Sequence, residues 1–267
     1  MRTYRKPHKI RKKTPFFKKR FFWIFILVLI FFFGSAYLVS FAPFFNIKEI
    51  QISGNRKVSA DDIKQLVNEK IVRNFGKFSS KSIFLSNLKE AKASILNKFP
   101  QIEEISLKRK FPGSIVVEAK ERIAVANFCP DSECFLIDKN GVVFEKIDII
   151  FSEFPKIKNV EGRNIFSLGE KVIDENILKS ILDIKNGLTE KSKIIIEEFN
   201  MLSLQRLNVK TKENWEIYFN LNEDLKWQTD KLILVLENEI PSEKRRDLEY
   251  IDLRFSRVYF KYKNLSP

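Results

Sequence analysis

The hydrophobic pattern of the chain is dominated by one apolar run at residues 21–42. The run FFWIFILVLIFFFGSAYLVSFA contains no charged residue and shows no polar face. As a helix with a 1.5 Å rise per residue it extends over roughly 33 Å, enough for a ~30 Å hydrocarbon core. A cleaved signal peptide has a shorter apolar stretch of ~7–15 residues, and a buried globular helix normally keeps a polar face. The pattern therefore predicts an uncleaved transmembrane helix.

Residues 44–121 contain short segments in the order strand, helix, helix, strand, strand. Ile50 and Ile52 alternate with polar neighbours, as in a half-buried strand. The connection between the helices, at Gly76, is predicted to be a loop, and Pro100 ends the second helix because a residue before proline avoids the α region. The apolar positions of the two helices and the two later strands are Ile63, Leu66, Val67 and Ile71; Leu88, Ala91, Ile95 and Phe99; Ile105 and Leu107; and Ile115, Val117 and Ala119.

Residues 122–267 combine strands with two helices, which predicts a larger mixed β domain. A turn at 138–141 separates two strands of a hairpin, and Gly187 is predicted to terminate the first helix. The predicted strands are 135–137, 142–144, 194–196, 203–210 and 215–219, the helices are 174–187 and 225–239, and the final β segment is 251–262.

The final β segment changes parity along its length. Ile251, Leu253 and Phe255 are predicted to share one strand face, and Val258, Phe260 and Tyr262 then have the opposite parity. A strict period of two cannot place both sets on one face. A bulge or tight turn near Ser256-Arg257 is therefore expected, with a last strand at 258–262 close to the sheet edge.

The basic residues of the first 20 positions determine the predicted topology. These positions carry ten basic residues and no acidic one, whereas the first charge after the apolar run is Lys48. By the positive-inside rule the N-terminus stays in the cytoplasm and the residues after 42 lie outside. The residues taken as the topology signal are Arg11, Lys12, Lys13, Lys18, Lys19 and Arg20.

The net charge of +14 mainly reflects this tail, since the rest of the chain carries only +4. We therefore expect no nucleic-acid binding, and attraction to anionic lipid is an added consequence. The single histidine, His8, lies in the tail, so no Ser-His-Asp triad or histidine zinc site is available outside. No Gly-rich phosphate loop is present. Neither an enzymatic activity nor a cofactor is expected.

Cys129 and Cys134 flank four residues at a predicted hairpin tip and are the only cysteines. In an oxidising compartment this arrangement favours a disulfide. Two alternatives stay open, namely a free thiol pair and a two-thiolate metal site, which lacks nearby ligands.

The segment FNIKEIQISGNRKVSADDIKQLV resembles the opening of a POTRA domain, and FPQIEEISLKRKFPGSIVVEAKERIAVANF is similar to its close in the FtsQ/DivIB division proteins. The most specific pieces are Lys110-Phe111-Pro112 and Glu121-Arg122. The segment 251–255, IDLRF, resembles a signature near the C-terminus of that family, with Phe255 in place of the usual tyrosine.

This resemblance implies an α+β architecture with a cytoplasmic tail at 1–20, a transmembrane helix at 21–42, a POTRA domain at 44–121 and an FtsQ/DivIB-type β domain at 122–267. A generic α+β domain with the same element order is the alternative. The resemblance further implies a non-catalytic bitopic scaffold at the division septum of the cell membrane. Its expected partners are FtsB- and FtsL-like single-pass proteins and other divisome proteins, through which it would help control septal peptidoglycan synthesis.

In the family the end of the β domain receives an FtsB-like segment. The candidate partner-binding residues here are therefore Phe255, Ser256, Arg257, Val258, Tyr259 and Phe260. Two other functions compete with this interpretation. A POTRA-bearing assembly or transport factor normally has several POTRA repeats and a barrel, and a membrane-anchored cell-wall hydrolase would show activity in an assay of the outer part.

Overall fold

The computed structural model describes residues 20–75, 78–159 and 166–263. Its chain divides into two compact units. One contains the chain up to Ser53 with Ala60–Ala93 and Ser106–Glu118, and the other contains Gly54–Ser59, Ser94–Ile105 and the chain from Ala119 onward. Several predicted positions lie outside the described residues: His8, Arg11, Lys12, Lys13, Lys18, Lys19 and Gly76.

The first described element is the helix α1, Arg20–Phe41, followed by a short 3₁₀ turn at Pro43–Phe45. Arg20, the last residue of the topology signal, opens this helix. Many large apolar side chains of α1 are exposed, among them Trp23 and Phe31. Within the residues described, no helix qualifies as long and apolar enough for a membrane span. The membrane anchor therefore stays a prediction.

The elements up to residue 121 give a small α+β fold, as the sequence predicted. They are β1 (Glu49–Ser53), α2 (Ala60–Ile71), β2 (Arg73–Phe75), β3 (Phe78–Ser80), α3 (Leu88–Lys98), β4 (Ile102–Lys110) and β5 (Ser114–Glu121). The main sheet has the order β1-β5-β4, and β1 runs parallel to β5. The apolar positions of α2 are buried, as their helical spacing predicted.

The prediction that a loop connects α2 and α3 is wrong in part. β2 and β3 form an antiparallel hairpin of their own. Each strand has only three residues. Such a short strand shows too little alternation to give a sequence signal.

The later elements build one nine-stranded mixed sheet and two helices. They are β6 (Ala124–Phe128), β7 (Cys134–Asp138), β8 (Val143–Ile147), β9 (Lys156–Asn159), α4 (Glu175–Ser192), β10 (Ile196–Ser203), β11 (Arg206–Thr211), β12 (Glu216–Phe219), α5 (Leu225–Asn238), β13 (Leu248–Asp252) and β14 (Tyr259–Tyr262). The order in the sheet is β14-β13-β12-β11-β10-β9-β6-β7-β8. β9 runs parallel to both β6 and β10, and β12 runs parallel to β13.

The core of this part lies between the sheet and the two helices. α4 and α5 contact each other, and each buries one apolar stripe. The buried cluster joins those stripes to inward-facing strand residues such as Phe199, Val209 and Ile217. Burial of these side chains is the main favourable contribution to folding of the sheet and its helices.

The helix predicted to end at Gly187 continues to Ser192. Gly187 lies inside α4, where an added Cβ would meet the Thr229 methyl of α5 at 3.6 Å. That distance is an ordinary van der Waals contact, so a side chain as small as alanine would also fit there, and Gly187 does not terminate α4. The strand boundaries also differ. The predicted strand 194–196 includes only the first residue of β10, which continues to Ser203. The predicted strand 203–210 corresponds to β11 but begins three residues too early, since a turn separates β10 from β11.

Cys129 and Cys134 are joined by a disulfide in the structure. β6 and β7 form an antiparallel hairpin, and Phe128 lies opposite Phe135 in its last residue pair. The disulfide lies directly after this pair. It closes the tip of the hairpin between β6 and β7. Because the closed loop is short, the chain-entropy model assigns the bridge only about 2 kcal/mol.

Candidate partner-binding site

The last strand of the described chain forms one edge of the nine-stranded sheet. β14 pairs antiparallel with β13, with Ile251 opposite Phe260 and Asp252 opposite Tyr259. Within the described residues no strand pairs with the other side of β14. The backbone groups on that side are available to a partner strand, which is how β-augmentation works.

The opposite edge of the sheet is β8, and part of it is covered by the chain itself. The Gly169 N–H donates to the Val143 carbonyl oxygen at 2.6 Å, and the Val143 N–H donates to the Glu170 carbonyl oxygen at 3.0 Å. The segment at Gly169 and Glu170 therefore already occupies the backbone hydrogen-bonding groups of Val143, at the start of β8. This difference favours β14 as the edge for a partner.

The turn between β13 and β14 is held by an Asp252–Arg254 pair. The Asp252 carboxylate accepts hydrogen bonds from the Arg254 backbone N–H at 3.1 Å, from Nε at 2.9 Å and from Nη2 at 2.7 Å. The hydrogen bond to Asp252 raises the pKa of the Arg254 guanidinium. A bidentate pair of this kind fixes direction as well as distance. It therefore sets the path by which the chain leaves β13.

Lys231 of α5 holds the same turn from the helix side. Its Nζ donates to the carbonyl oxygens of Leu253 at 3.0 Å and Phe255 at 2.6 Å. It also lies 3.6 Å from the centroid of the Trp227 ring. Burial lowers the pKa of the Lys231 ammonium, an effect that the charge of Asp252 opposes. Hydrogen bonds from Lys231 therefore connect α5 to the turn between β13 and β14.

Two exposed aromatic side chains lie in or next to this turn: Phe255 within it and Tyr259 at the start of β14. Phe255 is 53% exposed and Tyr259 is 55% exposed. Their ring centroids lie 6.0 Å apart in an edge-to-face arrangement. Aromatic side chains, phenylalanine and tyrosine included, are enriched in the cores of protein interfaces, and tyrosine is also enriched among binding hot spots.

The structure divides the six candidate residues into two groups. Phe255, Ser256, Arg257 and Tyr259 are exposed, whereas Val258 and Phe260 are half-buried and pack against the core. The chain turns between Leu253 and Val258, as the parity change predicted. The grouping of Phe255 with Ile251 and Leu253 on one face was wrong, because that turn begins before Phe255. A binding role for these residues stays a prediction.

Sequence reasoning missed the contribution of α5 to this region. Trp227, Lys231 and Leu234 lie outside the buried stripe of α5, and Trp227 is 49% exposed. Their spacing of four and three residues puts them on one helical face. The available signal was a tryptophan that does not fit the apolar periodicity of its helix.

The side chains assembled here suit binding of an extended peptide. Two exposed rings lie beside an open strand edge, and a partly buried ion pair fixes the turn before that edge. Among the residues described, no group of three or more His, Cys, Asp or Glu side chains is placed to hold a metal ion.

Two family models match this chain. The model for the POTRA domain, FtsQ-type, matches residues 45–122. The model for the C-terminal part of cell division protein FtsQ/DivIB matches residues 130–254. The second match includes β13 and ends within the turn held by Asp252 and Arg254.

Several curated relatives are similar over much of their length. The cell division protein DivIB of Clostridium tetani (strain Massachusetts / E88) is 29% identical over 228 residues, which is 80% of this chain and 77% of the relative. The DivIB protein of Clostridium botulinum (strain Hall) is 32% identical over 207 residues, covering 74% of this chain and 73% of the relative. The cell division protein FtsQ of Rickettsia bellii (strain RML369-C) is 28% identical over 133 residues, which is 49% of this chain and 45% of the relative. With its POTRA and C-terminal matches, the chain belongs to the FtsQ/DivIB family of cell division proteins.

Proposed function

We propose that the chain is a non-catalytic scaffold of the division machinery that binds an extended segment of an FtsB-like partner along β14. The open backbone of β14 carries this proposal. Main-chain pairing supplies affinity, and the exposed rings of Phe255 and Tyr259 supply anchors beside it. Through FtsB- and FtsL-like single-pass proteins the scaffold would help control septal peptidoglycan synthesis.

Tyr259→Ala is expected to weaken partner binding without unfolding the protein. Loss of one exposed anchor corresponds to about 1–2 kcal/mol, or roughly 5- to 30-fold in the dissociation constant. The measurement is a binding titration of the full chain against a purified FtsB-like partner, together with thermal unfolding. Since Tyr259 is more than half exposed, the melting temperature should change little.

Lys261→Ala is the matched control for this experiment. Lys261 lies in the same strand and makes an exposed ion pair with Glu249. Exposed pairs contribute little to stability, so the control should remain folded. Because Lys261 is not one of the proposed aromatic anchors, the control should also bind nearly as the wild type does. Equal affinity of the Tyr259 variant and the wild type would rule out this docking site.

We further propose that residues 21–42 anchor the chain in the cell membrane with the N-terminus in the cytoplasm. The support is the uncharged run, the basic residues before it and the exposed apolar side chains of α1. In this scheme residues 44–121 and 122–267 act as the two extracytoplasmic domains at the septum.

A reporter fused after residue 267 should be active only if it is an extracytoplasmic reporter. The physical reason is the strong excess of basic residues on one side of the run. Reversing that excess by substituting Asp for the basic residues among positions 11–20 gives the control, which should lose the preference. Activity of a cytoplasmic reporter in the unaltered chain would contradict the proposed topology.

A further inference from the structure

Four phenylalanine rings form a continuous cluster in the smaller unit, here called the Phe patch: Phe44, Phe45, Phe84 and Phe111. Neighbouring ring centroids lie 5.1 Å apart for Phe44 and Phe45, and 5.2 Å apart for both later pairs. Phe44, Phe84 and Phe111 remain 62%, 43% and 58% exposed. Grouped exposed rings of this kind mark an interaction surface, whereas scattered ones do not.

The Phe patch is fixed by backbone contacts among the three segments that carry it. The Ile83 N–H donates to the Phe45 carbonyl oxygen at 2.9 Å, and the Lys48 N–H donates to the Gly113 carbonyl oxygen at 2.8 Å. A Cβ on Gly113 would clash with the Asn46 carbonyl oxygen, so only glycine fits there. The rings are therefore preorganised on a rigid end of the β1–β5 sheet.

Arg109 adds a further support to the segment that carries Phe84. Its guanidinium donates to the carbonyl oxygens of Ile83 at 2.7 Å and Ser86 at 2.8 Å. One hydrogen bond on each side of Phe84 therefore fixes the backbone segment that carries this exposed ring. The exposure of the Phe84 ring therefore belongs to a backbone segment held by hydrogen bonds.

The chain leaves little distance between the Phe patch and the end of α1. α1 ends at Phe41, and Phe44 follows three residues later. An extended chain spans at most ~3.3–3.6 Å per residue, so Phe44 lies within about 10 Å of the helix end. If α1 is anchored as proposed above, on which this step rests, the Phe patch lies at the membrane surface.

The charged residues within the segments that carry the Phe patch are all basic, and the acidic Glu49 directly follows the first segment. The three segments that form it, residues 42–48, 81–86 and 108–113, contain no acidic residue. Lys48, Lys81 and Lys110 are exposed within them. A cationic rim around an apolar centre complements a bilayer surface with anionic headgroups.

We propose that the Phe patch docks on the lipid surface next to α1, with its rings in the interfacial layer and Lys48, Lys81 and Lys110 at anionic headgroups. This contact would hold the smaller unit against the membrane. It goes beyond anchoring, because a tethered domain with a polar surface would remain free to move away from the bilayer.

The test measures the depth of nitroxide labels on the full chain in vesicles of phosphatidylcholine and phosphatidylglycerol. Labels are placed at Val28→Cys, Phe84→Cys and Ser53→Cys. Ser53 is exposed at the far end of β1, about 13 Å further from the Phe patch than Glu49. Wild-type chain, whose cysteines form the disulfide, gives the background labelling.

We expect collisions with a water-soluble nickel complex to be severalfold fewer at Phe84 than at Ser53, and fewest at Val28. Replacing Phe44 and Phe111 by Ser should raise the Phe84 value to that of Ser53 while Val28 stays protected. Both rings are exposed, so unchanged thermal unfolding is expected of this variant. In vesicles of phosphatidylcholine alone the Phe84 value should rise, and an unchanged value would contradict the role of the lysines.

The outcomes separate this proposal from the proposed anchoring. Equal collision rates at Phe84 and Ser53 with Val28 protected would overturn lipid docking alone. Exposure of Val28 would overturn the anchor. Protection of Phe84 only after a partner protein is added would identify the Phe patch as a protein interface and would also reject lipid docking.

Discussion

Replacing Asp138 by Ala should lower the free energy of unfolding by about 3–5 kcal/mol. Its carboxylate is almost fully buried and accepts hydrogen bonds from the backbone N–H groups of Asn140 and Val142, both at 3.0 Å. It also forms an ion pair with Arg122. Removing the carboxylate leaves a largely buried guanidinium without its counter-ion and two N–H groups without their acceptor. A buried charge that loses its partner is strongly destabilising.

The measurement is urea unfolding of the full chain, followed by tryptophan fluorescence, in which the buried Trp215 is expected to change its surroundings on unfolding. Glu133→Ala is the matched control, since Glu133 forms an exposed ion pair with Lys146 in the neighbouring hairpin. An exposed pair contributes at most about 1 kcal/mol. Equal decreases in the free energy of unfolding for the two variants would show that the contacts of Asp138 do not stabilise the hairpin of β7 and β8.

Leu253→Ala should destabilise the protein by about 2–5 kcal/mol, whereas Phe255→Ala should change stability by less than about 1 kcal/mol. Leu253 is fully buried in the core, and Phe255 is exposed two residues later. Truncating a buried leucine loses its transfer free energy and leaves a cavity. A ring in contact with water leaves no cavity when it is removed.

The same urea experiment on both variants checks this difference. Partner binding gives the second readout, because Phe255 is also a proposed anchor. The Phe255 variant should bind more weakly while remaining folded. Comparable destabilisation by both substitutions would indicate that the chain continues as a strand through Phe255 and does not turn.

The elements predicted best from the sequence are those whose pattern is local. In α2 the spacing of Ile63, Leu66 and Val67 shows the helix and its buried face. The alternation of Ile115 and Val117 does the same for β5. Each prediction depends on residues within one element, so it needs no knowledge of the rest of the fold.

The errors concern residues whose role depends on distant neighbours. Gly187 matches a helix terminator in sequence, but α4 continues through it to Ser192, and it lies against Thr229 of α5. β9 has only four residues, and it exists because it pairs with β6 and β10 on either side. Strand pairing between segments far apart in the chain leaves no local pattern.

The candidate site shows the same division. The sequence alone determined that the last β segment must turn near Ser256, because its apolar positions change parity. It also pointed to Tyr259, and the family resemblance came from such local segments.

Only the tertiary structure decided that β14 is an unpaired edge among the described strands and that Lys231 of α5 holds the turn before it. Period and parity are set by neighbours along the chain. Which strand lies at an edge, and which distant side chain reaches its turn, depends on how all the elements pack together.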